Sequence, residues 1–470
     1  MSALEIDRLS VWLPGRGTVL DDLSVETSGL TLVVGRSGSG ATTLLHAASG
    51  RLPSGSRVRG RITLAGTDLL GSTVDELAGL VASSHLTALP DLTVAEVAPR
   101  GLALARDFGL DPAARLSALQ RSGRAAVRLV RALTQATAGV VLLDQPLQDL
   151  APGLRQRACT AIRALADAGV EVLWAEHLLE DALAVADRVL ELGGRRVGAV
   201  ARDEWNPATL PAPPAMALAR SLGLPRSVWA DPSALLTEAD SSLPVQSRTS
   251  RPSMGLAAAA PAVTGLDREV VLRDGECVGV VGADRDRAID LARRLAAVAR
   301  GARSLEPLPV VPRTGPVGSL VARWERARGV APGTVSSWVG PLARISGSRS
   351  LSAHSAGEAT ALHLALSFAR PGARALVDPT RGLDPEGRRR VARLLYDDTT
   401  RPTFLVTDDV EVLTRACHRV LVVANGTLVA DGAPLALVDH LPAHPQLVRM
   451  GLRRVRVGAV GTGSLREVAR

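Results

Sequence analysis

The chain contains no lysine, so all 55 of its positive side chains are arginines. With so much alanine, glycine, valine and leucine, this points to a GC-rich genome and a mutational origin for the net charge of +8. Aromatic residues make up only 2% of the chain, which leaves few platforms on which single-stranded bases could stack. The arginines are scattered rather than blocked, so nucleic acid is not expected as a partner. Three cysteines, Cys159, Cys277 and Cys417, lie far apart without a CxxC pair. That argues against a disulfide framework or a zinc site and for buried reduced thiols. No apolar run approaches the roughly 18–20 residues of a membrane-spanning helix, and Met1–Arg8 lacks a basic start followed by an apolar signal core. A soluble, intracellular protein is expected.

What is present is enough apolar sequence, 46% of 470 residues, for two sizeable cores. The chain also repeats itself. Leu30–Val34 is an apolar strand running into the glycine-rich turn Gly35–Gly40 and a helical pattern from Thr42; Glu276–Val281 leads into Gly282 and the helical stretch Ala288–Ala299. About 100 residues later, each half has an Ala-, Leu- and Arg-rich helix followed by a strand with an acidic end, Val140–Asp144 and Ala375–Asp378. A further strand follows in each, Val170–Ala175 and Thr403–Thr407. Strands alternating with helices predict parallel pairing through crossovers, hence two α/β domains, each with a mainly parallel sheet. The expected division is a first α/β domain over 1–200, its extension over 201–231, a linker over 232–262, a second α/β domain over 263–436, and a tail over 437–470. The linker is read from its Pro, Ser and Ala composition without periodicity.

Residues 35–43, Gly35, Arg36, Ser37, Gly38, Ser39, Gly40, Ala41, Thr42 and Thr43, follow a strand and open a helix. Glycines there let backbone N–H groups close round phosphates, and the helix N-terminus adds favourable partial charge. The usual lysine is Ala41, while Thr42 can still ligate a metal. Losing a charged phosphate donor weakens binding by roughly 10–150-fold without abolishing it, and Arg36 is a candidate for partial compensation. Asp144 is placed to hold magnesium. Gln145 follows where a glutamate would activate water, and a glutamine orients water without serving as a base. His177 ends the next strand, placed to contact a γ-phosphate. In the second half, Gly282–Asp290 puts Arg285 and Arg287 where glycines belong and Ile289 where the metal hydroxyl belongs, which predicts a structural remnant.

These residues resemble the ABC ATPases over nearly the whole chain, most specifically in Pro379–Pro385 (PTRGLDP), Trp174–Asp181 (WAEHLLED) and Ala186–Val189 (ADRV). Within that family the sequence is similar to the fused ATPase of energy-coupling-factor transporters, through ASGRLPSGSRVRGRI, DELAGLV, Pro213–Pro225 and His444–Met450; Leu86–Val94 is also similar to oligopeptide and nickel importer cassettes. The resemblance implies two tandem nucleotide-binding domains, the second degenerate, each with a mainly parallel sheet core and a helical subdomain, with ATP and Mg2+ as cofactors, a location in the cytoplasm at the inner face of the cell membrane, and integral-membrane coupling and substrate-specific subunits as partners. It further implies that a serine–glycine motif from one cassette completes the nucleotide site of the other. The first loop, with Asp144, Gln145 and His177, would then be served by Ser355, Gly357 and Glu358 and by Asp384, while the second loop would be served by Leu119–Gly123, with Ala151 where the aspartate belongs. The aromatic expected on adenine is Trp12, with Leu13 the other candidate. The first glutamine in the chain is Gln120, so the one expected near Ser83–Leu86 is absent. Asp378 fits either of the family's two acidic positions, and Asp408 replaces the second histidine. Two readings follow: a cassette subunit of a small-molecule importer binding one ATP with weak or no hydrolysis, or a non-hydrolysing scaffold or regulator of a membrane complex.

Overall fold

The computed structural model describes residues 4–229, except 71, 73–75, 78–79, 85–90, 136–138, 194–197, 222 and 227–228. It also describes 270–441, except 271–272, 274, 283–284, 300–314, 344, 425–426, 435 and 438–440, and the short strands Arg454–Val455 and Val468–Ala469. The expected linker and nearly all of the tail lie outside these residues. The chain divides into two compact units, Met1–Leu235 and Leu236–Arg470.

The first unit contains β1 (Leu4–Leu13), β2 (Gly17–Thr27), β3 (Leu30–Gly35), β4 (Arg57–Leu64), β5 (Thr67–Asp68), β6 (Val81–Ser83), β7 (Val140–Asp144), β8 (Glu171–Ala175), β9 (Arg188–Leu192) and β10 (Ala199–Ala201). An antiparallel sheet runs β2-β1-β4-β5, and a second sheet runs β10-β9-β3-β8-β7-β6. In the second sheet all pairs are parallel except β10 with β9. Burial explains the difference. Along β1 buried and exposed residues largely alternate, as on a one-sided sheet, whereas β3 is buried at every position, as a parallel strand covered on both faces must be. Leu32, Val34, Val141, Leu143, Val172 and Trp174 face one core, which includes residues of the helices Arg121–Gln135 and Pro152–Asp167. Val33, Val140, Leu142 and Leu173 face another, shared with the helix Ala41–Ala48 and the antiparallel sheet.

The second unit repeats the central part. β11 (Cys277–Gly282), β12 (Arg374–Val377), β13 (Thr403–Val406), β14 (Arg419–Ala424) and β15 (Thr427–Gly432) are ordered β12-β13-β11-β14-β15. Only β15 is antiparallel to its neighbour. Among the described residues of this unit there is no counterpart of the β2-β1-β4-β5 sheet. The three cysteines are buried thiols outside any disulfide, as expected. None of the described helices is long and apolar enough to cross a membrane.

One buried acid in the first unit carries a pH prediction. Glu171, at the start of β8, accepts a hydrogen bond from Thr27 Oγ1 at 2.8 Å. Burial pushes its pKa from 4.5 up to about 7, against the opposing pull of hydrogen bonds from Thr27 and Gly29. The folded state therefore holds this proton more tightly than the unfolded chain. Its contribution is fully present below about pH 4.5 and is lost as pH rises through about 7. Glu171→Gln, which cannot ionise, is expected to gain stability relative to wild type between pH 4.5 and 8, by up to roughly 3 kcal/mol. Urea unfolding of both proteins at pH 4.5 and 8 measures this. A difference that does not change with pH would remove the assignment.

Candidate functional site

β3 ends at Gly35, and the chain turns through residues 36–40 before the helix Ala41–Ala48. Ser39 N–H donates to Arg36 O at 2.9 Å, closing the turn. Gly38 has φ 87° with nothing within 4 Å of where a Cβ would stand, so the loop is open to a ligand on that side. Gly40 has φ 102°, and a Cβ there would lie 2.5 Å from Leu20 Cδ2; only glycine combines that backbone with that contact. β2 thus packs under the loop. The neighbouring pair Trp12–Thr18 places Trp12 at the same end of the β1–β2 ribbon. Trp12 is 37% exposed and Leu13 is buried at 7%, so of the two candidates Trp12 is the one presented at the surface. Arg57 lies over that ring, its guanidinium carbon 5.2 Å from the centroid.

The parallel strands bring the other expected residues to this same carboxyl edge, where ligands bind in open α/β sheets. Thr42 Oγ1 donates to Asp144 Oδ1 at 3.2 Å. A hydroxyl and a carboxylate so joined are the hard oxygen donors that magnesium prefers. Asp144 N–H in turn donates to Ser84 Oγ at 2.9 Å. Gln145 leaves β7 with φ 48°, its N–H donating to Ala175 O at 2.8 Å. The buried Glu176 carboxylate accepts N–H groups from His177 at 2.8 Å, Leu178 at 3.1 Å and Leu147 at 3.2 Å. It therefore ties the segment after Gln145 to the segment of His177. Burial raises the Glu176 pKa, against the pull of these amides. Of the remaining expected residues, Ser37 and Ala41 are half-buried, Arg36 is exposed and Thr43 is buried. No cation lies in the first turn of the helix; the only basic residue recorded in it is His46, in its last turn.

In the second unit the strand pairing decides a point the sequence left open. Asp144 pairs with Ala175 across β7–β8, and Val377 pairs with Val406 across β12–β13. Asp378 then takes φ 47° and donates its N–H to Val406 O at 2.9 Å, as Gln145 does to Ala175 O. Asp378 is therefore the counterpart of Gln145, and the position of Asp144 is Val377. By the same register Asp408 corresponds to His177. The phosphate loop also differs from expectation. Arg285 and Arg287 do not stand in a loop in place of glycines: the helix Arg285–Ala299 begins three residues after Gly282, against six from Gly35 to Ala41. The Arg285 guanidinium lies 2.5 Å from Asp378 Oδ2 and 2.6 Å from Asp408 Oδ2. Burial alone would lower its pKa, but the two carboxylates raise it overall.

The serine–glycine segment of the second unit is well formed. Ser355 Oγ accepts the Glu358 N–H at 3.2 Å, and Glu358 Oε2 accepts the Ser355 N–H at 2.6 Å. This is a capping box on the helix Ala356–Ala369. Asp384 Oδ1 accepts the Gly387 N–H at 2.7 Å, capping the helix Pro385–Asp397. A Cβ on Gly382 would lie 3.1 Å from that of Ala356, so the Gly357 helix start and the Asp384 loop pack on one another. In the first unit Ser122 Oγ instead accepts the Ala151 N–H at 2.7 Å. Sequence reasoning gave no part to Ser84, Glu176 or Glu191. The last is an acid inside the apolar run Arg188–Leu192, a pattern that itself signals a buried carboxylate with partners.

Comparison with known proteins agrees with this geometry. The family model described as "ABC transporter" matches residues 21–173. A putative ABC transporter ATP-binding protein of Streptomyces coelicolor is 27% identical, over 91% of this chain and 93% of its own length. The thiamine import ATP-binding protein ThiQ of a Jannaschia species is 30% identical over 39% of this chain and 86% of its own. Among solved structures, a chain of a model of ribosome-bound archaeal Pelota and ABCE1 aligns with a TM-score of 0.61 at 16% identity, covering 96% of this chain and 82% of that one, a likeness of fold alone. With both halves built on one strand–loop–helix plan and a full-length relative of the same kind, the chain belongs to the ABC transporter family as a tandem ATP-binding protein.

Proposed function

We propose that the chain is the nucleotide-binding subunit of a small-molecule importer of energy-coupling-factor type, binding one magnesium-ATP at the loop Gly35–Thr43 and turning it over very slowly. One contrast carries this reading: Thr42 meets Asp144 beside an open glycine loop in the first unit, whereas in the second Arg285 fills the corresponding corner with Asp378 and Asp408. The proposed division remains 1–200, 201–231, 232–262, 263–436 and 437–470. Integral-membrane coupling and substrate-specific subunits are the proposed partners, with the chain peripheral to the inner face of the membrane.

Bound ATP would supply a transferable γ-phosphoryl group and magnesium the charge to polarise it. The residues at hand divide the remaining work. The glycine-loop amides receive phosphate oxygens, Thr42 and Asp144 hold the metal, and Trp12 offers its ring to the adenine. Gln145 orients water without accepting its proton, and His177 is held beside it through Glu176. The part that the family resemblance gives Ser355, Gly357, Glu358 and Asp384, completing the nucleotide site, is proposed with them. Because Ala41 and Gln145 each remove a catalytic group, a second reading follows, a scaffold that binds ATP or nothing and holds a membrane complex together.

Titration calorimetry of magnesium-ATP into the full chain is expected to give about one site, in the micromolar to millimolar range. Two equivalent sites would overturn the asymmetry, and no binding would leave the scaffold alone.

A further inference from the structure

The loop that lacks a lysine is tied to a segment beyond the sheet. Arg36 donates its Nε–H to Thr209 O at 2.8 Å. Thr209 is itself gathered in by Glu191, which accepts Thr209 N–H and Thr209 Oγ1–H, each at 2.6 Å, Ala208 N–H at 3.0 Å and the Trp205 indole N–H at 3.1 Å. These hydrogen bonds hold the Glu191 carboxyl below its ordinary range despite the opposing effect of burial. Glu191 stands on β9 directly opposite Val34, the residue before Gly35 on the strand that delivers the loop. β3, Arg36, Thr209, Glu191 and β9 therefore close a ring.

A surface arginine with no function has no need of so heavily bonded an anchor. The Thr209 bond uses one of the five guanidinium donors and fixes the orientation of the group, leaving the planar, two-pronged end suited to phosphate oxygens. We propose that Arg36 supplies the cationic phosphate contact that Ala41 cannot, and that residues 205–209, gathered by Glu191, are the positioning element that holds Arg36 to the loop. This rests on the reading that the loop binds ATP. It makes part of the extension after the sheet a component of the phosphate site.

The test is calorimetric titration of magnesium-ATP into the full chain and its variants. Arg36→Gln is expected to weaken binding about 10–100-fold. Thr209→Val, which removes one hydroxyl, and Glu191→Gln, which presents an NH2 to N–H donors, are expected to weaken it about 3–10-fold when Arg36 is present. Neither should weaken it further in the Arg36→Gln background, because both act through that guanidinium. Arg36→Lys, with charge but no fixed plane, should fall between wild type and Arg36→Gln. Unchanged exchange of the β3 amides excludes general unfolding; if Glu191→Gln disturbs them, Thr209→Val carries the cycle. An Arg36→Gln affinity within twofold of wild type would overturn the assignment of Arg36. Equal weakening by Thr209→Val with and without Arg36 would overturn the positioning role. No saturable binding by wild type removes the ATP reading and this inference together, an outcome distinct from either.

Discussion

Ala41→Lys combined with Gln145→Glu is expected to raise ATP hydrolysis by the full chain at least 100-fold over wild type, measured as phosphate release under saturating magnesium-ATP. The lysine restores charge at the first helical residue after the loop, and the glutamate restores a proton acceptor where Gln145 leaves β7. A positioned base is worth roughly 100–10,000-fold, and a charged hydrogen bond to the transferred group about 1.5–3 kcal/mol. The backbone needs no rebuilding to receive either side chain. Gln145 is held in its φ 48° conformation by the bond to Ala175 O, and Thr42 and Asp144 are already in contact. Wild type should turn over far below the roughly 1 per second of ordinary enzymes. If the double variant binds ATP more tightly yet stays at the wild-type rate, the contribution proposed for Ser355, Gly357, Glu358 and Asp384 is missing, and the scaffold reading prevails.

The second large effect belongs to Arg285. Replacing it by methionine removes a cation that lies 2.5 Å from Asp378 and 2.6 Å from Asp408 and leaves two carboxylates facing the same small space. Breaking a buried pair costs about 3–5 kcal/mol. Here Asp408 is 37% exposed and Arg285 26%, and screening reduces the figure to roughly 2–3 kcal/mol. Hydrogen exchange in the full chain should show faster exchange by about 30–100-fold at the amides of β11 and the helix Arg285–Ala299, with the first unit unaffected. Adding Asp378→Asn and Asp408→Asn to Arg285→Met should recover much of the loss, since two negative charges facing one another without that guanidinium are what it leaves behind. Exchange unchanged in Arg285→Met would show that the cluster does not hold the second unit together.

The parts of this molecule that were legible in the sequence are those set by local pattern. The strand expected over Val140–Asp144 is found with those ends, and Val170–Ala175 is found as Glu171–Ala175, because short, mainly apolar runs between helical stretches have few other uses in an α/β domain. The glycine loop was legible for the same reason, since its spacing after a buried strand has one economical conformation. What escaped depends on pairing between distant segments. Asp378 could be aligned with either acidic position until the β12–β13 register placed Val377 opposite Val406. The helix of the second unit was expected from Ala288 and begins at Arg285, because arginine and aspartate are tolerated equally in a loop or a first helical turn and carry no signal. Ser84 and Thr209 act through single hydrogen bonds to Asp144 and Arg36, which leave no periodicity to read.

The early start of the helix Arg285–Ala299 also bears on history. Three residues fewer between strand and helix amount to nearly a full helical turn, about 4.5 Å of rise, taken from the stretch that would otherwise wrap an anion. Side chains can revert one substitution at a time, but a turn already wound into helix must also change its backbone conformation before it can wrap an anion. In the first unit the glycine turn is already open, so any change there is a change of side chain alone. The second would have to unwind the start of a helix whose first residue, Arg285, is held by Asp378 and Asp408, so its present form is one that drift does not readily undo.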